Sequence, residues 1–325
     1  MRRFIVLGVA ASVAATTVAQ GQGIDPQCTA GQTQDACQKT VDVFKYMVPQ
    51  FGVLMTGGNA TLGQGGTLGG LGHFLVGVRA NVMQGSLPQI DKVTPSTNAA
   101  DSTVAYPVKS QILGLPQVDA AIGIFKGIPL GVTNVGGVDL LVSAEYLPSV
   151  NSSSVDITVP NGSLKLGFGA RLGIIQESVV FPGVAITYLR RDLPTVDLSA
   201  TSSAGDSLNI NKLDVTTDAW RLVASKSFLI FGLSGGVGRD DYSASTAARA
   251  YVAAGEGAST GTINLSEKVS RTNAFFDLSL NLPLIKLVGE VGHVSGGTIN
   301  TYNQFSGTRA DDSRTYESVG LRFGF

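Results

Sequence analysis

The chain closes with Thr315-Tyr316-Glu317-Ser318-Val319-Gly320-Leu321-Arg322-Phe323-Gly324-Phe325, a strictly alternating stretch that ends on an aromatic residue. Side chains of a β-strand point alternately to opposite faces, so one face of this stretch is apolar and the other is polar or small. The apolar face holds Val319, Leu321, Phe323 and Phe325. This period of two predicts a strand with one face against an apolar phase, although an edge strand of a soluble protein has the same pattern.

The amino terminus favours the membrane interpretation of that strand. Met1-Arg2-Arg3 precedes an apolar run from Phe4 to Ala15 and the small residues Thr16-Thr17-Val18-Ala19. This order predicts a secretory signal peptide over residues 1–19, cleaved after Ala19. The alternative is an uncleaved anchor, but the apolar run is shorter than the ~20 residues that a spanning helix needs. In an exported chain, the closing strand is typical of the assembly signal by which barrel-assembly machinery recognises bacterial outer-membrane proteins.

The composition is that of a membrane barrel. Hydrophobic residues make up 43% of the chain and charged residues 14%, with 41 glycines, and after the signal the apolar residues are dispersed in alternation. Cleavage of the expected signal peptide would remove Arg2 and Arg3, so the 23 basic residues of the chain become 21, against 24 acidic residues. This balance does not suggest a nucleic-acid partner.

The region between the signal and the first strand, residues 20–72, has its own organisation. Cys28 and Cys37 are the only cysteines, and in an exported chain this close pair predicts a local disulfide and no metal site. Helical spacing of Val41, Phe44 and Val48 predicts a helix from Cys37 to Gln50, closed by Pro49. The helix and the glycine-rich stretch after it could plug a barrel. The alternatives are a helix in the periplasm and a flexible leader into the first strand.

Alternation recurs over residues 73–325 and predicts an all-β, antiparallel transmembrane barrel of 10–14 strands. Ten strands are evident, and the stretch from Val104 to Leu113 could hold two more. Short and long connections alternate along the chain, as in barrels with short periplasmic turns and long external loops. The long connections are expected at Gly85 to Gln117, Pro148 to Gly162, Asp192 to Leu208, Ser243 to Lys268 and Gly296 to Arg314.

The same alternation predicts which charged side chains face the lumen: Arg79, Asp139, Glu145, Lys165, Arg171, Arg221, Asp277, Glu290 and Arg322. In a narrow barrel these charges must pair, because an uncompensated buried charge costs several kcal/mol. In a wide barrel they would line a polar channel instead. A paired network that stiffens the lumen is preferred over a specific ligand site. A hydrophobic solute would need apolar inward residues, for which Leu75, Leu141, Leu189 and Val223 are candidates.

Sequence motifs for enzyme chemistry are weak, and no catalytic residue, cofactor or metal is expected. Gly232-Leu233-Ser234-Gly235-Gly236 matches a nucleophile elbow, but alternation runs through it where the motif needs a strand, a turn and a helix. Asp240-Asp241 and Asp311-Asp312 are expected near strand ends or loops, as solvated charges. Adjacent strand residues face opposite ways, so neither pair is expected to chelate one ion.

The arrangement of leader, helix, glycine-rich lead-in and first strand resembles the long-chain fatty-acid transporter (FadL-like) superfamily of outer-membrane barrels. The motifs that carry the resemblance are Gly70-Leu71-Gly72-His73-Phe74 and Ala120-Ala121-Ile122-Gly123-Ile124-Phe125-Lys126-Gly127. No family residue transfers to a position of this chain.

We therefore expect an outer-membrane barrel that contacts lipid and lipopolysaccharide and passively moves a small or hydrophobic solute. The alternative is a structural or surface-interaction barrel that acts through its long loops. A soluble periplasmic β-sandwich is the third possibility.

Overall fold

The computed structural model describes residues 23–151 and 155–324. The signal peptide expected at residues 1–19 and the terminal Phe325 lie outside the described residues.

One long helix precedes the strands. Helix α1 spans Gln34–Thr56 and contains Pro49, so the prediction that the helix ends at Pro49 was wrong. Proline removes one helical hydrogen bond and crowds the preceding turn. The helix nevertheless continues for two more turns, because those turns are buried and their last carbonyl groups find partners on the barrel wall. No helix in the described part of the chain has the length and apolar character to cross a bilayer.

Ten antiparallel strands form the barrel, as the alternation predicts. They are β1 Phe74–Pro88, β2 Val108–Phe125, β3 Val138–Tyr146, β4 Leu164–Ile175, β5 Gly183–Asp192, β6 Ser207–Phe228, β7 Phe231–Val252, β8 Ile263–Asn281, β9 Ile285–Val294 and β10 Arg314–Gly324. Each strand pairs with its neighbours along the chain, and β10 pairs with β1 to close the sheet. Closure leaves the barrel without a free edge.

The connections differ strongly between the two ends of the barrel. Turns of two to seven residues at 176–182, 229–230 and 282–284 lie at one end, together with a twelve-residue connection at 126–137. Loops of ten to nineteen residues lie at the other end, at 89–107, 147–163, 193–206, 253–262 and 295–313. The turn at 126–137 contains a small hairpin of Ile128–Leu130 and Thr133–Val135. We call the two ends the turn end and the loop end.

Three expected loops are shorter than predicted because the strands run further. The stretch from Val104 to Leu113 adds no strand pair; β1 and β2 stay paired as far as Pro88 and Val108. Likewise β6, β7 and β8 extend well past the apolar part of the wall towards the loop end. There the short strands Val155–Thr158 and Val196–Thr201 extend the sheet beside β6.

The outer face of the barrel is apolar. Large hydrophobic side chains alternate with inward polar ones on every strand, and their exposed members include Val78, Val118, Leu140, Phe168, Ile186, Leu222, Leu233, Leu278, Val291 and Leu321. Tyr188 and Trp220 contact each other on this face with ring centroids 4.7 Å apart. Such a band, with aromatic residues among its members, is characteristic of barrel walls that contact lipid.

Candidate functional site: a plugged lumen

The lumen is occupied by the chain's own amino-terminal region. We define the plug as α1 together with the glycine-rich segment 57–72. Nearly all of α1 is buried, including polar residues such as Gln38, Asp42 and Gln50. A helix is about 10–12 Å across with its side chains, and a barrel of ten strands is only slightly wider than one of eight, whose interior side chains fill. The plug therefore closes the barrel.

The carboxyl end of α1 is bound by inward side chains of the wall. The last four carbonyl groups of a helix have no partner within it and carry partial negative charge. Arg79 donates to the Gly57 carbonyl oxygen at 2.8 Å, and Arg221 donates to that of Thr56 at 2.9 Å. Asn81 and Gln117 donate to the carbonyl oxygens of Leu54 and Met55 at 2.9 and 3.1 Å. Two cations and two amides thus satisfy the helix end.

Between the end of α1 and the turn end, backbone N–H groups of the glycine-rich segment donate hydrogen bonds to acceptors on the wall. The Asn59 N–H donates to Glu290 at 2.8 Å, and the Gly65 N–H donates to the Ser225 hydroxyl at 2.7 Å. The Leu68 N–H lies 3.2 Å from both carboxylate oxygens of Asp139. Cations and amides of the wall therefore donate hydrogen bonds to carbonyl groups of the plug. Other wall residues accept hydrogen bonds from N–H groups of the plug.

The segment passes very close to the wall at the turn end. A Cβ atom added to Gly123 of β2 would lie 2.3 Å from the Gly70 carbonyl oxygen. Only glycine permits this approach of two backbones. The contact fixes where the plug leaves the lumen and turns into β1.

At the loop end, two loops fasten the start of α1 through buried carboxylates. Asp35 accepts hydrogen bonds from the backbone N–H groups of Ser96 and Asp101 at 2.6 and 2.9 Å, and it pairs with Lys39 at 2.6 Å. Asp42 accepts from the N–H of Asn303 at 2.8 Å. Burial raises the pKa of Asp42, and its hydrogen bonds from residues 302 and 303 oppose that rise. The plug is thus held at both ends.

Several of the expected lumen charges form ion pairs on the inner wall. Arg79 pairs with Asp119 at 2.7 Å, and Arg171 pairs with Asp139 at 2.6 Å. Arg191 lies 3.6 Å from both Asp119 and Glu145. Pairing of this kind compensates charges that are taken out of water.

Of the remaining predicted lumen residues, Arg221, Glu290 and Arg322 contact the plug, whereas Asp277 contacts the wall. Arg221 pairs with Asp240, Asp277 accepts from Ser234, and Glu290 accepts from Tyr316 at 2.8 Å. Arg322 is half-buried and donates to the carbonyl oxygens of Thr61 and Leu62 at 2.9 and 2.8 Å. Lys165 is half-buried opposite Glu145 in the strand register.

Sequence reasoning missed three ion-pair partners of these charges: Asp119, Arg191 and Asp240. Asp119 and Arg191 lie at inward positions of alternating stretches, so extending the period-two pattern would have found them. Asp240-Asp241 was expected to be a solvated pair near a strand end. The pair instead lies within β7, where Asp240 is buried and Asp241 faces outwards. Asp311-Asp312 does lie in a loop, within 3.3–3.6 Å of Arg309.

The apolar inward candidates pack against the plug. Leu75, Leu141 and Leu189 are buried in one cluster with Ala60, and Leu68 packs against it. Val223 is buried in the larger cluster that contains most of the apolar side chains of α1. In this state of the molecule, plug residues fill the space that a hydrophobic solute would need.

One cavity of about 240 Å³ lies at the turn end, below the plug. Gln64 and Leu68 of the plug form part of its lining, together with Leu75, Ile285, Lys286 and Arg322 of the wall. The cavity combines apolar walls with two cationic side chains.

The motif that matches a nucleophile elbow has a different structure. Gly232-Leu233-Ser234-Gly235-Gly236 lies within β7, with no strand-to-helix turn. The Ser234 hydroxyl points inwards and donates to Asp277.

Comparison with known proteins adds no family. No protein-family model matches the chain, and no curated protein matches it. Among solved structures it is similar to the translocator domain of the autotransporter NalP from Neisseria meningitidis, at 11% identity and a TM-score of 0.42, over 87% of this chain and 99% of that one. It is also similar to Ail, the attachment invasion locus protein of Yersinia pestis, at 8% identity and a TM-score of 0.28, over 78% and 99%. A TodX monoaromatic hydrocarbon channel variant matches at 10% identity and a TM-score of 0.30, over 78% and 89%. No property of these proteins is carried over to this chain.

Proposed function

We propose that the chain is an outer-membrane β-barrel. The observation that carries this proposal is the apolar outer face of a closed sheet. Exposing that many large hydrophobic side chains to water would cost about 25 cal/mol for each Å², whereas lipid accepts them without cost. A closed barrel also satisfies its own backbone hydrogen bonds, as a bilayer requires. The long loops then face outwards and the short turns face the periplasm.

The closing strand supports a role in assembly. Val319, Leu321 and Phe323 face outwards on β10 and are exposed. With the terminal Phe325 they would form the signal for the barrel-assembly machinery. Lipopolysaccharide and lipid would be the immediate surroundings of the wall.

We further propose passive transport of a small or hydrophobic solute, controlled by the plug. The turn-end cavity supports this idea, because it gives a solute space directly beneath the glycine-rich segment. That segment is held to the wall by hydrogen bonds to individual side chains and has no helix or strand of its own; a neutral bond of this kind contributes about 0.5–1.5 kcal/mol and one to a charged partner such as Glu290 about 1.5–3 kcal/mol. A shift of the segment would extend the cavity towards α1.

A second function is favoured by a different observation. The lumen is filled and the plug is fastened at both ends, which suits a structural or surface-interaction barrel that acts through its loop end. In that case the barrel would never conduct.

The experiment that separates these functions is single-channel conductance in planar bilayers. We expect the full-length protein to be silent or to open rarely, and a variant lacking residues 20–50 to show stepwise conductance. A deletion variant that folds, as judged by resistance to sodium dodecyl sulphate before heating, and that stays silent would contradict the transport proposal. Extraction of the native protein from membranes by salt alone would contradict the membrane location itself.

A further inference from the structure

The direction of the plug through the barrel carries a further inference. The amino end of α1 is bound by the loops at 89–107 and 295–313, through Asp35 and Asp42. The helix ends in the middle of the barrel, where Gly57 contacts Arg79. The segment then contacts Gln176 of a short turn through Thr67. The chain therefore runs from the loop end to the turn end before β1 begins.

The residues before α1 lie outside the lumen, at the loop end. Gln27 exchanges two hydrogen bonds with the backbone of Asn264, at 2.9 and 3.0 Å. Gln32 donates to the Ala254 carbonyl oxygen at 2.7 Å. Both partners belong to the tip formed by β7, β8 and the loop between them. A disulfide between Cys28 and Cys37 joins this short stretch to the first turn of α1.

The stretch 23–33 and the start of β1 thus lie at opposite ends of a closed wall. Residues 34–72 connect them along the lumen, and the ten strands pair all the way round. An exported chain reaches the barrel from the periplasmic side. The stretch 23–33 must therefore pass through the barrel, or be enclosed as the barrel closes, to reach its position at the loop end.

We propose that the barrel carries its own amino-terminal segment to the outer surface and displays it there, leaving residues 34–72 behind as the plug. This inference rests on the proposed membrane orientation. It assigns the stretch 23–33, closed by the disulfide, to the surface that faces the surroundings of the cell. Any chain attached ahead of residue 23 would emerge on the same side.

Epitope tags at three positions test the inference in intact cells. The first tag follows Gly23, the second follows Ser203 in a long loop, and the third follows Gly131 in the small hairpin at the turn end; all three positions are exposed. We expect antibodies to label the Gly23 and Ser203 tags equally before and after the outer membrane is permeabilised. The Gly131 tag should be labelled only after permeabilisation.

Two outcomes would overturn the inference, and they are distinguishable. If the Ser203 tag is labelled on intact cells while the Gly23 tag needs permeabilisation, the display of the amino terminus is wrong and the orientation stands. If the Gly131 tag is labelled on intact cells and the Ser203 tag is not, the orientation fails and the display fails with it. Proteinase K treatment of cells with the untagged protein gives a check independent of tagging: loss of residues 23–33 supports display, and their retention while the long loops are cut contradicts it.

Discussion

Replacing Arg221 should destabilise the barrel far more than replacing Arg239, although both arginines pair with neighbouring aspartates of β7. Arg221 faces inwards, is 5% exposed and pairs with Asp240, which is fully buried. Arg239 faces outwards, with its side chain 64% exposed, and lies 3.3 Å from Asp241. Removing one partner of a buried pair leaves an uncompensated charge and costs about 3–5 kcal/mol. An exposed pair contributes about 0–1 kcal/mol.

We therefore expect Arg221→Met to lower the free energy of unfolding by about 4 kcal/mol, and Arg239→Met to change it by less than about 1 kcal/mol. The loss at Arg221 includes its hydrogen bond to the Thr56 carbonyl oxygen of the plug. Adding Asp240→Asn to Arg221→Met should recover part of the loss, because it removes the unpaired charge.

The assay is a urea titration of the protein folded into lipid vesicles, followed by tryptophan fluorescence. Trp220 is the single tryptophan of the chain and lies on the outer face, where unfolding moves it from lipid to water. Loss of the heat-dependent shift in electrophoretic mobility gives a second measure of the same transition. Equal, small effects of the two single substitutions would refute the assignment of Arg221 and Asp240 to a dry lumen.

Three other substitutions test separate parts of the molecule. Gly52→Leu should displace the plug and raise conductance, because even a Cβ atom there would lie 2.4 Å from the ring of Tyr242; planar-bilayer recordings measure the effect. Leu321→Arg puts a charge on the lipid face of β10 and should destabilise the barrel by up to about 2–4 kcal/mol, measured by urea titration in vesicles. Asp42→Asn should remove a pH dependence of stability. The folded-state pKa of Asp42 is raised, so the protonated carboxyl contributes to the free energy of unfolding. That contribution is fully present below the ordinary pKa of 3.8 and falls as the pH rises through the folded-state pKa. Urea titrations at several acidic pH values measure this change in the free energy of unfolding.

The first two of these substitutions have a matched control. Gly289→Leu adds the same side chain at an outward position with nothing within 4 Å of the new Cβ atom, and it should leave conductance unchanged. Ser203→Arg adds the same charge to an exposed loop and should leave stability unchanged. If the stability of Asp42→Asn follows the same pH curve as the unmodified protein, the account of that carboxyl is wrong.

The barrel could be predicted from sequence because its signal is local. The alternation of apolar and polar residues in β4 or β10 directly indicates which face is inner and which is outer. The same pattern in β1, β3 and β4 predicts the lumen charges Arg79, Asp139 and Arg171. Which charged residues form pairs cannot be predicted from the local sequence pattern. The partner of Arg221 is Asp240 on the next strand, and the charged outward neighbours Arg239 and Asp241 obscure the inward position of Asp240 in the sequence.

The end of the helix illustrates the same limit. Pro49 is a reasonable place to end an isolated helix. The turns after it persist because Asn81, Gln117 and Arg221, from three different strands, donate to the carbonyl groups that an isolated helix would expose to water. Only the assembled barrel brings these donors to one point.

Because the strands differ in length, the wall of the barrel reaches different heights around the loop end. Strands β6 and β7 have 22 residues each; at about 3.4 Å per residue and a tilt of about 40°, they rise roughly 55 Å. Strand β3 has nine residues and rises roughly 23 Å, about the height of the apolar band. One side of the wall therefore stands some 30 Å above the membrane as hydrogen-bonded sheet. An antibody, phage or neighbouring cell approaching that side would contact a rigid sheet surface. Changes of loop sequence there would alter only the top of that surface.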